Sequence, residues 1–123
     1  MEFDDLSNRV IGCAIEVHRH LGPGLLESTY EQCLAYELHQ AKIDYLVQPP
    51  LPVNYKDVKI DCGYRMDLLV GGGLVVELKS VERMLPIHDA QILTYMKLSQ
   101  SKVGLLMNFN VPRMKDGIKR FVL

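Results

Sequence analysis

The sequence has no apolar run long enough to cross a membrane and no segment that resembles a secretion signal. A membrane-spanning helix needs about 20 predominantly apolar residues, and polar or charged residues interrupt the apolar runs of this chain before that length. The chain begins Met-Glu-Phe-Asp-Asp, which lacks the basic segment followed by an apolar segment that marks a signal peptide. We therefore expect a cytoplasmic protein with no membrane partner.

Cysteine is scarce. The three cysteines, Cys13, Cys33 and Cys62, are isolated, odd in number, and form no Cys-x-x-Cys pair. This pattern excludes a disulfide framework and the usual zinc-binding spacings. We expect buried free thiols in a reducing compartment.

An excess of basic residues is also absent. The sequence has 14 Lys and Arg against 15 Asp and Glu, for a formal net charge of −1. Nucleic-acid-binding domains usually have an excess of basic residues, so the near-neutral charge of this chain counts against tight nonspecific binding to DNA or RNA. Bound divalent cations would offset acidic groups locally.

Two common catalytic motifs are missing. No glycine-rich segment continues into Gly-Lys-Ser/Thr, which excludes a P-loop nucleotide site, and no Ser or Cys lies in a nucleophile elbow. The chain also has no internal repeat, low-complexity tract or linker. Its 123 residues, 48% hydrophobic, predict one domain over residues 1–123 with a substantial core.

Apolar periodicity predicts three helices, at residues 6–21, 25–41 and 87–100. Ser7 or Asp5 would cap the first helix. Strand-like runs cover residues 43–55, 58–70, 74–81, 103–109 and 118–123. Prolines in the first run confine that strand to an edge or interrupt it. The order predicts an α/β (α+β) fold, a mixed central sheet flanked by helices.

Two apolar runs flank three consecutive glycines at positions 71–73. Such a pattern predicts a β-hairpin whose loop is formed by the glycines. With a three-residue loop, Val70 pairs with Leu74 and Asp67 falls directly opposite Glu77. A two-residue turn would shift the register by one position and separate the two carboxylates.

Strand alternation divides this hairpin into an apolar face and a charged face. The apolar face has Met66, Leu68, Val70, Leu74, Val76 and Leu78, and the charged face has Arg65, Asp67, Glu77 and Lys79. Charges within hydrophobic strands are unfavourable unless they are paired or bind a metal. The hairpin therefore predicts either a metal site beside a lysine or a ladder of cross-strand ion pairs on a solvated face.

The Glu77-Leu78-Lys79 segment suits phosphodiester hydrolysis. In a strand, the two charged side chains point the same way, about 7 Å apart. A carboxylate there can hold Mg²⁺, which prefers oxygen ligands, and Asp67 supplies a second ligand. An ammonium group beside them can orient or deprotonate the attacking water and stabilise charge on the phosphate. Hydrolysis by one or two such ions needs few other protein groups.

Polar side chains on two helices are further candidates. Gln91 and Tyr95 are four residues apart on the third predicted helix, and His88 lies one turn earlier. They either hold a water, phosphate or base near the carboxylates or form an ordinary helix surface. Glu27 and Tyr30 share a face of the second helix, where Glu27 is either a third metal-site carboxylate or an acid that suits the helix dipole. The local pattern alone favours the ordinary interpretation for both helices.

Three segments together resemble one family. Residues 24–30, Gly-Leu-Leu-Glu-Ser-Thr-Tyr, match the Gly-x-x-Glu-x-x-Tyr signature of the GxxExxY proteins. Residues 64–70 with residues 76–79 resemble that family's version of the PD-(D/E)XK nuclease motif. Residues 88–95 are similar to the Gln-x-x-x-Tyr block of RecB-like nucleases. The resemblance covers nearly the whole chain, and the motifs in this order are a strong family signal.

The resemblance implies a restriction-endonuclease-like fold with an αβββαβ core and a site for Mg²⁺ or Mn²⁺. It implies that the metal ligands are Glu27, Asp67, Glu77 and the backbone carbonyl of Leu78. Lys79 would be the catalytic lysine, and Glu27 would also take part in catalysis. The supporting or substrate-binding candidates are Tyr30, Arg65, His88, Gln91 and Tyr95.

Two functions remain open. The resemblance implies a metal-dependent nuclease that hydrolyses DNA or RNA. The alternative is a non-catalytic module that binds nucleic acid or a protein partner, as a homodimer or as a subunit of a larger assembly, which the near-neutral charge and small size favour. Removing either predicted carboxylate would abolish metal binding and turnover in the first case and leave partner binding unchanged in the second.

Overall fold

The computed structural model describes residues 4–123. Residues 1–3, part of the segment from which the absence of a signal peptide was predicted, lie outside the described residues. The elements, in chain order, are α1 (Asp5–Leu21), α2 (Glu27–Gln40), β1 (Tyr45–Val47), β2 (Val53–Tyr55), β3 (Val58–Ile60), β4 (Leu68–Val70), β5 (Leu74–Lys79), α3 (Pro86–Leu98), β6 (Val103–Asn108), a 3-10 helix (Met114–Gly117) and β7 (Ile118–Val122). None of the helices in this part of the chain combines the length and the apolar character that crossing a membrane requires.

Five strands form a mixed sheet in the order β1-β4-β5-β6-β7. β5 and β6 run parallel, with α3 as the crossover between them, and the other neighbours run antiparallel. The mixed sheet flanked by helices is thus confirmed, and α2-β1-β4-β5-α3-β6 has the expected αβββαβ order. β2 and β3 form a separate two-stranded sheet.

β5 is the central strand, and its side chains alternate between two apolar layers. Leu74, Val76 and Leu78 belong to the layer formed with α1 and α2, whereas Val75 packs in the layer formed with α3. Because helices cover both faces, a charged side chain in the second half of β5 lies inside the protein. Glu77 is such a residue, on the side of α3.

The loop between β4 and β5 consists of the three glycines, and Val70 pairs with Leu74 as predicted. Gly71 and Gly72 have φ angles of 59° and 78°, a left-handed region that glycine adopts without steric cost. A Cβ atom at Gly71 would also lie 2.7 Å from Cδ2 of Leu6. The glycines therefore enforce the register on which the pairing of the two carboxylates depends.

The prediction of one continuous strand over residues 58–70 is wrong, because residues 61–67 lie outside regular strands between β3 and β4. This segment faces the proline-containing chain between β1 and β2, and the Met66 N–H donates to the Pro49 carbonyl over 3.2 Å. Proline has no N–H to donate, so a regular ladder cannot form here. The strand predicted over residues 43–55 is interrupted at the same prolines. Interruption was one of the two alternatives expected for it, the other being an edge position.

Three local predictions also differ from the structure. The cap of α1 is Asp4, not Ser7 or Asp5, since the Asp4 carboxylate accepts from the Ser7 N–H over 2.8 Å. Met66 packs in the layer of α3, not with the opposite face of the hairpin, because the chain bends at the next residue. Cys62 is exposed and the other two cysteines are half-buried, whereas burial of all three was expected.

Candidate active site

β4 and β5 separate near Asp67, and two carboxylates fill the gap. The N–H of Asp67 donates to Oε1 of Glu77 over 3.0 Å. The N–H of Leu78 donates to Oδ2 of Asp67 over 2.8 Å. Each carboxylate thus accepts a backbone N–H at the point where the ladder between the strands stops. The two side chains meet, as the hairpin register predicted.

Glu77 is a buried carboxyl group, 3% exposed. Burial, followed by the negative charge of Asp67, raises the pKa of Glu77 to about 8. The N–H of Asp67 and the charge of Lys79 act in the opposite direction. Near neutral pH the carboxylate pair therefore keeps a proton, which offsets one of its two negative charges.

Lys79 begins a row of polar side chains that continues onto α3. Its Nζ donates to Oε1 of Gln91 over 3.2 Å, and Nε2 of Gln91 donates to the hydroxyl of Tyr95 over 3.1 Å. Burial, reinforced by the charge of Glu77, raises the pKa of the Tyr95 hydroxyl, which therefore keeps its proton. The structure brings the predicted pair on α3 to the lysine.

The alternative interpretation, a ladder of cross-strand ion pairs, is not found among residues 4–123. None of the ion pairs there joins Asp67 or Glu77 to Lys79 or Arg65. Arg65 is exposed, and its Nη1 donates to the carbonyl of Gln48 over 3.2 Å. Arg65 therefore contacts the segment after β1, and the carboxylates of Asp67 and Glu77 form no ion pair within the described part of the chain.

Gln48 links Asp67 to an acid that the sequence analysis did not identify. Nε2 of Gln48 lies 2.7 Å from Oε2 of Glu31 and 3.3 Å from Oδ1 of Asp67. Its backbone N–H donates to the Asp67 carbonyl over 2.9 Å. Gln48 has a φ of 55°, a left-handed conformation that is uncommon outside glycine and that often occurs at functional sites.

Glu27 and Glu31, two of the three glutamates of α2, occupy different surroundings. Burial, reinforced by the charges of Asp67 and Glu27, raises the pKa of Glu31, although the hydrogen bond from Gln48 lowers it. Glu27 is exposed at the start of α2 and lines a shallow cleft with Ser80, the residue that follows β5. Glu31 follows Glu27 by four residues, so their shared helix face was the signal that could have identified it.

Tyr30 and His88 make contacts within the scaffold. Tyr30 is fully buried, its ring stacks on Phe109 with centroids 4.4 Å apart, and its hydroxyl donates to the Gly22 carbonyl over 2.5 Å. Nδ1 of His88 accepts from the Leu85 N–H over 3.0 Å. These bonds hold the loop before α2 and the start of α3, and they do not reach the carboxylate pair.

The donor groups around Asp67 and Glu77 suit a divalent cation that keeps part of its water shell. Within residues 4–123, no three Asp, Glu, His or Cys side chains are grouped so as to hold a metal ion together. Mg²⁺, however, usually binds through one or two carboxylates and keeps several waters. Asp67 and Glu77 meet that requirement, and none of the ion pairs among residues 4–123 involves either carboxylate. The Leu78 carbonyl points to the same edge of β5 as its N–H, towards Asp67.

Comparison with known proteins gives a family. The model of the PD-(D/E)XK nuclease superfamily matches residues 4–121, almost the entire length of the 123-residue chain. Neither the curated proteins nor the solved structures contain a significant match to this chain.

Proposed function

Because the chain belongs to the PD-(D/E)XK nuclease superfamily, we propose that it is a cytoplasmic nuclease that hydrolyses phosphodiester bonds of DNA or RNA with Mg²⁺ or Mn²⁺. Membership of the superfamily and the restriction-endonuclease-like fold support nuclease activity in general. The choice of metal, the nucleic acid and the assignment to the GxxExxY proteins are part of the proposal.

The observation that carries the proposal is the contact between the buried Glu77 and the half-buried Asp67, with Lys79 two residues further along β5. Two adjacent carboxylates, one of them buried, that keep a proton and take part in none of the ion pairs among residues 4–123 are unfavourable for folding alone. A divalent cation would replace the proton and relieve the repulsion. Such an arrangement therefore supports a metal-binding function over a purely structural one.

Each residue has a role that follows from its contacts. A metal ion held by Asp67, Glu77 and the Leu78 carbonyl would supply an activated water and neutralise charge on the phosphate. The backbone N–H groups already hold both carboxylates in place, so the ligands are preorganised. Gln91 fixes Lys79 through one donor, which leaves two donors of the ammonium group for the water or a phosphate oxygen.

We expect Asp67→Asn to abolish both Mn²⁺ binding and cleavage. The substitution keeps an oxygen that can accept from the Leu78 N–H, so it changes the charge of the site more than the backbone. Labelled single- and double-stranded DNA and RNA would be incubated with Mg²⁺, Mn²⁺ or EDTA, and Mn²⁺ binding would be measured by calorimetry. Asp44→Asn, at an exposed carboxylate before β1, is the matched control.

The outcomes separate the two functions. Cleavage that requires metal and is lost only in Asp67→Asn supports the nuclease. Cleavage at equal rates in every sample, including those with EDTA, points to contamination. If the wild-type protein neither binds Mn²⁺ nor cuts any substrate, the nuclease is rejected in favour of the non-catalytic binding module.

A second pair of variants tests which acid of α2 serves the site. The resemblance implies Glu27, whereas the hydrogen bonds through Gln48 favour Glu31. Because loss of a residue that orients a metal ligand typically lowers metal affinity by about 10- to 100-fold, we expect that effect from Glu31→Gln. Glu27→Gln should have a smaller effect on the Mn²⁺ titration. The reverse order would assign the acid to Glu27 and leave Glu31 as a packing residue.

A further inference from the structure

A continuous exposed segment lies beside the proposed active site. Residues 54–65 are exposed at every position, and they include most of the separate β2–β3 sheet, whose turn residues Lys56 and Asp57 have φ angles of 49° and 68°. Tyr55 and Val58 are 58% and 57% exposed. An isolated two-stranded hairpin is marginally stable, so a hairpin with exposed apolar side chains is suited to contact with another molecule.

The returning arm of this hairpin leads directly to the site. It ends at Tyr64 and Arg65, two residues before Asp67. The Tyr64 ring is 49% exposed, and its centroid lies 6.5 Å from that of Tyr95 in a tilted arrangement. Since Tyr95 is bonded to Gln91, an exposed aromatic ring adjoins the row of side chains that begins at Lys79.

The chemistry of the segment combines rings with cations. It contains Tyr55 and Tyr64 together with Lys56, Lys59 and Arg65, and Nζ of Lys56 lies 5.4 Å from the centre of the Tyr55 ring. The segment has three cations and two acids, Asp57 and Asp61, and the Asp61 carboxylate is engaged by the Gly63 N–H. The segment is therefore net positive in a chain whose formal charge is −1.

We propose that residues 54–65 bind a single-stranded part of the nucleic-acid substrate, with a base stacked on Tyr64 and phosphates on Lys56, Lys59 and Arg65. Exposed rings next to cations are the surface on which unpaired bases stack while the backbone follows the positive groups. A duplex offers no free base face to Tyr64. The proposal rests on the proposed function and gives the substrate class of the same site.

Binding can be measured without cleavage. Fluorescence anisotropy of labelled single- and double-stranded oligonucleotides, DNA and RNA, would be recorded in EDTA for the wild-type protein and Tyr64→Ala. Loss of one stacked base is expected to weaken single-strand binding about tenfold. Tyr64→Phe keeps the ring and should bind as the wild type does. Tyr36→Ala is the control, since that tyrosine is 61% exposed on α2.

The cations give a second, independent test. The Lys56→Ala/Lys59→Ala double variant alters only exposed side chains and should lower the dependence of log Kd on log salt by about 0.7 for each lost phosphate contact. Lys102→Ala is the control, because Lys102 precedes Val103, which pairs with Leu74 at the opposite end of β5 from Lys79. Unchanged binding and unchanged salt dependence in these variants would overturn the proposal.

The outcomes also distinguish this proposal from the nuclease itself. A wild-type protein that binds duplexes better than single strands, or that binds neither, rejects the single-strand surface. If the protein cleaves with metal while Tyr64→Ala and the lysine variant keep the wild-type Kd and KM, only the surface proposal fails. If single strands bind through residues 54–65 but no condition yields cleavage, the surface stands and the nuclease fails.

Discussion

Glu77→Gln is expected to make the metal-free protein more stable at neutral pH while abolishing its metal-dependent cleavage. In the native state the pKa of Glu77 is raised from its ordinary 4.5 to about 8, because burial and the charge of Asp67 disfavour the ionised form. A glutamine is never ionised, keeps an oxygen for the Asp67 N–H, and offers an N–H to the Asp67 carboxylate. Glu77, which the proposed metal site needs, therefore destabilises the metal-free protein.

The pH dependence follows from the direction of that shift. Between about pH 4.5 and pH 8 the native state binds more protons at Glu77 than the unfolded state does. The favourable contribution of this proton to the free energy of unfolding is complete below about pH 4.5 and is lost as the pH rises through about 8. The wild-type free energy of unfolding should therefore fall as the pH rises through this window, by at most roughly 1 kcal/mol per pH unit, the contribution of one proton.

Urea unfolding in EDTA at several pH values between 5 and about 8 measures the effect. The Glu77→Gln variant should lose the slope that the wild-type protein shows, and Glu82→Gln, at an exposed acid before α3, should keep it. Adding Mn²⁺ should stabilise the wild-type protein and not Glu77→Gln. Equal stability of the wild-type protein and Glu77→Gln across the window would contradict both the raised pKa of the buried Glu77 and the role assigned to it.

Lys79→Ala is expected to lower kcat by about 100- to 10,000-fold, the usual contribution of a positioned proton-transfer group. Removing a cation beside the carboxylates should leave Mn²⁺ affinity unchanged or increase it, because the repulsion between Lys79 and the metal ion is lost. This combination separates a catalytic group from a metal ligand. Loss of Mn²⁺ binding in Lys79→Ala would show that the lysine acts by maintaining the site.

Three further variants sharpen this test. Lys79→Arg keeps the positive charge but cannot act as a base. If this variant is active where Lys79→Ala is not, the role of Lys79 is charge stabilisation alone. Gln91→Ala removes the acceptor that holds Nζ and should reduce kcat by about tenfold, the value of one hydrogen bond to a charged group. Lys97→Ala, at an exposed lysine on α3, is the control that should retain full activity.

The sequence by itself predicted the β-hairpin and, for a three-residue loop, the pairing of the carboxylates. Three consecutive glycines allow φ angles that other residues avoid, and the observed pairing of Val70 with Leu74 selects the three-residue loop over a two-residue turn. The register then fixes which residues of the hairpin face each other. The spacing of Gln91 and Tyr95 likewise predicted that both lie on one face of a helix, but the local pattern favoured an ordinary surface there, and the contact of that face with Lys79 was decided by the fold.

Only the tertiary structure decided how the surroundings of the pair are built. Gln48 reaches Glu31 and Asp67 because β1 and α2, which are distant from β4 in the sequence, pack beside it. Tyr30 was turned into the core by its stacking on Phe109, and the irregular chain opposite the prolines bent the hairpin between Met66 and Leu68. Periodicity reports which face of an element is apolar, but contacts between distant elements depend on packing that no local pattern contains.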